Sequence, residues 1–166
     1  MLKKLTSIDT PSMAYLDMQK HWELPEALRG GVEAMRNKKW LPQEPRESNE
    51  AYEVRKSRSF LYNLYWRVIN SITALAFIKP VNISNVPKEL EYLQWNFDGN
   101  NRSLTEFAYD MTIDAIHYGL SHAVMEFPKL PHQMNLKEFR ESGYKPYGVL
   151  TNPTQVIGVK FLNVDG

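Results

Sequence analysis

The sequence predicts an α+β fold, with a mostly helical N-terminal part containing one long helix and then a small sheet of short strands. Three observations predict it. Apolar residues recur at three- and four-residue spacings through most of the chain before Gly119. A helix-starting signal, Ser103-Leu104-Thr105-Glu106, stands directly before one of those runs. Short runs rich in β-branched and aromatic residues come only after Gly119, at 123–127, 147–150 and 156–161.

In chain order, Asp9-Thr10-Pro11 offers a cap and a first-turn proline to a helix carrying Tyr15, Met18 and Trp22. That helix is expected to stop at Leu24, because Pro25 restricts the residue before it. A second short helix starts at Pro25 with Leu28, Val32 and Met35 on one stripe, weakened by Gly30-Gly31. Lys38 to Pro45 is a polar loop with two prolines and an aromatic anchor, Trp40.

The strongest helical pattern covers 48–78. Leu61, Tyr65, Val68, Ile72 and Leu75 form one stripe, expected to face the core, while Phe60, Tyr62, Leu64, Trp66 and Ile69 occupy other faces. A helix apolar nearly all round must be covered nearly all round. In a chain of 166 residues that points to a neighbouring subunit or to further sequence, and Phe60, Leu64 and Trp66 are the candidate oligomer-interface residues.

Pro80 ends this helix. Pro87 opens a short helix, Asp98-Gly99-Asn100-Asn101 is a turn, and the capped helix from Ser103 ends at Gly119. The stretch 128–145 reads as loop-rich, and Thr151-Asn152-Pro153-Thr154 as a turn between the last two strands. The organisation is therefore 1–47, N-terminal helices and a Pro-rich loop; 48–80, the long helix; and 81–166, helices plus a small sheet. The chain is expected to continue past Gly166, because so small a sheet needs more structure to bury a face.

Composition bounds the function. The chain has no cysteine, which excludes a disulfide framework, thiolate zinc sites and a cysteine nucleophile. No run approaches the roughly 18 apolar residues of a spanning helix, and the first residues lack the apolar run of a signal peptide. Thirteen basic against 9 acidic residues precede Pro80 and 7 against 10 follow it. Neither part has the basic excess of a tight, sequence-independent nucleic-acid binder.

Candidate chemistry is sparse. Asp110, Asp114 and His117 lie on related turns of one helix, with His122 just beyond, and a metal-dependent enzyme using the first three is the alternative functional reading. Their spacing matches no recognised zinc or iron pattern, and a solvated face explains them as well. Arg55, Lys56, Arg58 and Arg67 interleave with Phe60, Tyr62, Tyr65 and Trp66, the residue types that clamp single-stranded nucleic acid. Packing explains the aromatics more simply, and a helical adaptor or nucleic-acid-binding module remains the third reading. Lys38 and Lys39 beside Trp40 read as a solvated pair. Arg29-Gly30-Gly31 lacks the lysine of a phosphate loop, and Ser103 is a cap rather than a nucleophile. No catalytic residue, metal or cofactor is expected.

From Met13 onward an ordered set of elements resembles a family of tailed-phage portal proteins. Trp40-Leu41-Pro42 stands where the family has a tyrosine–leucine–proline loop, and Tyr52 and Arg55 follow in an acidic stretch leading to the helix. Phe77-Ile78-Lys79-Pro80 ends it. Asp98-Gly99, Ser103-Leu104 and Phe107 form the next element, then Tyr118-Gly119, Glu126-Phe127-Pro128 and Lys145-Pro146-Tyr147. Departures are Trp40 for tyrosine, Lys145 for arginine, and Phe127 inside the strand end. The resemblance implies a structural virion protein without enzymatic activity: a homo-oligomeric ring, usually a dodecamer, at one capsid vertex. Double-stranded DNA passes through its channel with weak contacts during packaging and ejection. Implied partners are further copies of the chain, terminase, capsid and tail connector proteins, with assembly in the host cytoplasm and no membrane. The present residues would form the peripheral, wing-like part of such a portal.

Overall fold

A computed structural model describes residues 9–129 and 134–159, and within them the fold is α+β. Met1–Ile8 and the Phe161 end of the third expected strand lie outside the described residues. The chain forms two compact units, one running to Asn70 and taken up again from Ile157, the other Ser71–Val156.

The first unit opens with α1, Met13–Arg29. Ser12, not Asp9 or Thr10, is its cap, accepting a hydrogen bond from the Tyr15 amide at 3.1 Å. Contrary to expectation, α1 continues through Pro25. The proline removes one backbone donor, but Trp22 and Ala27 are buried on either side of it and hold both turns to the same core. A short helix α2, Gly31–Met35, begins on a left-handed Gly31 with φ of 71°.

The expected helix over 48–80 is two helices, α3 (Asn49–Arg58) and α4 (Leu64–Ala76). Polar side chains specify the break. Arg36 donates to the carbonyls of Ser57 and Ser59 at 2.9 and 3.1 Å, carbonyls at the C-terminal end of α3. Ser59 turns extended, with ψ of 141°. Asn63 then restarts the helix, its Oδ1 accepting from the Trp66 amide at 3.0 Å while its Nδ2 donates to the Leu28 carbonyl.

In the second unit, a 3-10 helix at Lys88–Gln94 precedes α5, Leu104–Tyr118. The capping box of α5 is complete: the Glu106 amide donates to Ser103 Oγ, and Ser103 N–H donates to Glu106 Oε2 at 2.8 Å. Gly119 closes the helix at φ of 80°. Phe107, Ile113 and Tyr118 supply its buried face. Strand β1, His122–Glu126, pairs antiparallel with β2, Tyr147–Thr151, placing Val124 opposite Val149. Between them lies a helix that the loop-rich reading overlooked, α6 (Leu136–Ser142), with its own capping box at Asn135 and Glu138. The third expected strand is absent over the described part of its range: Pro153–Gln155 is a 3-10 turn, and 156–159 forms no ladder.

Candidate functional site

The segments that carry the family resemblance tie the backbone to itself. Arg55 grips Glu47 with two hydrogen bonds of 2.8 Å and donates a third to the Pro42 carbonyl. Tyr52, buried, donates to the Leu41 carbonyl at 3.0 Å and lies under the Arg55 guanidinium. The Arg55 hydrogen bonds hold the Glu47 carboxyl below its ordinary range. In the second unit, Asp98 Oδ1 accepts from the amides of Asn100 and Arg102, and the turn is left-handed at Gly99, with φ of 77°, and at Asn101, with φ of 64°. The Tyr92 hydroxyl donates to the Pro146 carbonyl, Lys145 sits 4.4 Å from its ring, and burial pushes that hydroxyl's pKa up. These residues shape loops; none of them presents a reacting group.

The exposed chemistry is apolar and lies on α4. The orientation of the helix is set at its start, where Asn63 reaches Leu28 and the Arg29 guanidinium lies 5.3 Å from the Trp66 ring. That placement turns Ile69 inward, to 3% exposure, and Thr73 is fully buried. The stripe expected to face the core is the one left outside: Val68 is 50% and Ile72 52% exposed, while Leu61 and Tyr65 are half-buried. Leu64 and Leu75 extend the same outward face, with Phe60 just ahead of it at 80% exposure.

The candidate trio of Phe60, Leu64 and Trp66 is therefore not one surface. Leu64 and Trp66 are two residues apart, about 200° around the helix. Phe60 and Leu64 are exposed, whereas Trp66 is half-buried beneath Arg29. Val68, Ile72 and Leu75 are the residues the sequence reading assigned to the wrong side. The i, i+4, i+8 spacing from Leu64 revealed an apolar face, but only packing decides which of two apolar faces is covered.

Two of the metal-enzyme trio, Asp110 and His117, are engaged separately. Asp110 forms an ion pair with Arg102. His117 is buried, its ring edge-on to Tyr118 at 4.5 Å. Among the described residues, no group of three or more histidine or carboxylate side chains is placed to hold a metal ion. The basic and aromatic cluster is similarly occupied: Arg55 by Glu47, Lys56 by Glu53, and Arg67 by the Tyr62 hydroxyl at 2.8 Å. Lys39 pairs with Glu23. Among the described residues no helix is long and apolar enough to cross a membrane.

No family model matches the chain, and no curated protein matches it.

Proposed function

We propose that this chain is a structural subunit of a homo-oligomeric assembly, a portal-type ring at a capsid vertex through which double-stranded DNA passes. One observation carries the reading: the outward stripe of Leu64, Val68, Ile72 and Leu75 on α4. Four large aliphatic residues on one exposed helix face form the kind of contiguous apolar patch that marks an interface. A ring needs such a patch on each subunit, facing a different one on its neighbour. Further support comes from the ordered portal-like elements, from the near-neutral charge, which suits a conduit through which DNA slides, and from the engagement of the candidate catalytic groups within the fold.

The test is the assembly state of the protein expressed from its complete reading frame, read by sedimentation and negative-stain electron microscopy. Closed rings are expected from the wild type. Val68→Glu and Ile72→Glu, both at half-exposed positions where folding tolerates charge, should retain the wild-type circular dichroism spectrum and abolish the rings. A wild-type protein that stays monomeric at high concentration refutes the ring. Folded variants that still assemble remove α4 from the contact.

A further inference from the structure

We infer that the free edge of β1 pairs with β1 of a second copy, antiparallel and centred on Val124, to make a four-stranded sheet across a two-fold axis. The edge is identified by a single hydrogen bond. The Gly148 amide donates to the Phe97 carbonyl at 2.7 Å, so it points away from β1. Gly148 faces Met125 in the ladder, and that pair is consequently a non-hydrogen-bonded one. Because the pattern alternates, the N–H and C=O groups of both Ala123 and Met125 point outward, away from β2. Among the described residues no hydrogen bond reaches them.

Two common guards of an exposed edge are missing from β1. His122–Glu126 contains no proline and no lysine, devices that commonly blunt exposed edges. The residues from Ala123 to Glu126 are exposed although their side chains alternate between the two faces of the sheet, with Val124 at 47% and Met125 at 48%. A two-stranded sheet open in this way is marginal alone, and additional strands supply what it lacks.

The sequence of β1 selects its partner. Pairing Ala123 with Met125 of a second copy joins outward donors to outward acceptors in both directions. In that register all five residues of the strand are paired. Glu126 then faces His122 of the other copy at both ends, an acid opposite a base, and Val124 faces its own counterpart. Shifting the strands by two residues in either direction separates Glu126 from His122 and leaves strand residues unpaired. The register also continues the rows of the existing sheet: Val149 and Val124 on one face meet the same pair from the second copy, and Leu150 and Ala123 on the other meet Met125 and Gly148. A bulky residue thus faces a small one on each row of that second face.

This contact goes beyond the ring reading and does not depend on it. A two-fold contact closes after two copies and uses strand β1 rather than helix α4, so it acts apart from ring closure.

The absence of cysteine in the chain makes the geometry directly testable. In the inferred register the two Val124 Cα atoms are about 4.5 Å apart, within disulfide reach, whereas the two Ala123 Cα atoms are about 8 Å apart, beyond it. Under mild oxidation Val124→Cys should give roughly tenfold more covalent dimer than Ala123→Cys. In the cysteine-free protein, Met125→Pro deletes an outward donor without touching the β1–β2 ladder, and it should weaken self-association in sedimentation by roughly tenfold or more. Carrying Val68→Glu alongside Val124→Cys leaves cross-linking unchanged, which separates this contact from the ring. Equal cross-linking at 123 and 124 overturns the inference. So does a folded protein that forms no dimer at any concentration, a result that would leave the edge for a strand of another protein.

Discussion

Replacing Gly148 by alanine probes the closest packing in the second unit. A Cβ built on Gly148 falls against the edge of the Phe97 ring, 2.6 Å from Cδ1 and 3.0 Å from Cζ, with Cε1 nearer still. Carbon atoms in comfortable contact are about 3.5–4.0 Å apart, so the ring must retreat by about 1 Å or more. Its way back is closed by Phe107, whose buried ring lies 4.5 Å away at a tilt of 50°. Backbone relief is closed too: the Phe97 amide donates to the Arg102 carbonyl, and the Phe97 carbonyl accepts from Gly148, both at 2.7 Å. Overpacking of this kind costs about 1–3 kcal/mol. Removing glycine's freedom from the unfolded chain returns about 0.4–1 kcal/mol, because Gly148 does not adopt a left-handed conformation. The net expectation for Gly148→Ala is a loss of about 1–2 kcal/mol, read as a lower urea midpoint by circular dichroism. Phe97→Leu clears the space, so in that background Gly148→Ala becomes neutral or slightly stabilising. A coupling energy of about 1 kcal/mol or more in the double-mutant cycle is the signature. If Gly148→Ala unfolds at the wild-type midpoint in both backgrounds, the clash is not there and the packing of Phe97 on β2 is wrong.

Three further outcomes follow from individual side chains. Ile69→Ala should cost about 2–4 kcal/mol and Ile72→Ala under about 1, since only the first is buried; thermal denaturation giving the reverse order would put the other face of α4 inside. Thr73→Val should stabilise the protein by about 1 kcal/mol, because the buried Oγ1 has no hydrogen-bond partner among the described residues and valine matches its shape; destabilisation would mean the hydroxyl has one. Glu47 and Glu106 are both held below the ordinary glutamate value of 4.5, by Arg55 and by the Ser103 backbone amide respectively. A depressed folded pKa stabilises above the unfolded value and loses that contribution as pH falls through the folded one, so stability should drop as the solution is acidified below 4.5, and the Glu47→Gln/Glu106→Gln variant should show a flatter profile in that window.

Local signals were legible wherever a helix terminus is built from neighbouring residues. Ser103 and Glu106 are three apart, and their reciprocal hydrogen bonds need nothing else from the fold. The same signature at Asn135 and Glu138 was present in the sequence, with left-handed Gly143 behind the helix it starts, yet it was masked by the prolines and polar residues around it. Pro25 was a misleading signal in the opposite sense. It restricts one residue locally, but two buried contacts spanning it outweigh that restriction. The break at 59–63 was hidden for a different reason. Asn63 is a recognisable cap, but Arg36, which takes the carbonyls at the end of α3, comes 23 residues before Ser59, outside any window that periodicity inspects.

By itself, then, the sequence determined the fold class, the helix starts at Ser48, Pro87 and Ser103, the two described strands, and the existence of two apolar faces on the segment that becomes α4. Each depends on residues within a few positions of one another, through side-chain period and capping. Which apolar face is buried was decided by the tertiary structure alone. Leu64, Val68, Ile72 and Leu75 are as hydrophobic as any core stripe, and periodicity cannot tell two such stripes apart. The Asn63 hydrogen bond to Leu28 and the seat of Trp66 under Arg29 set the rotation of the helix, and that rotation turns Ile69 inward and leaves the longer stripe for a partner.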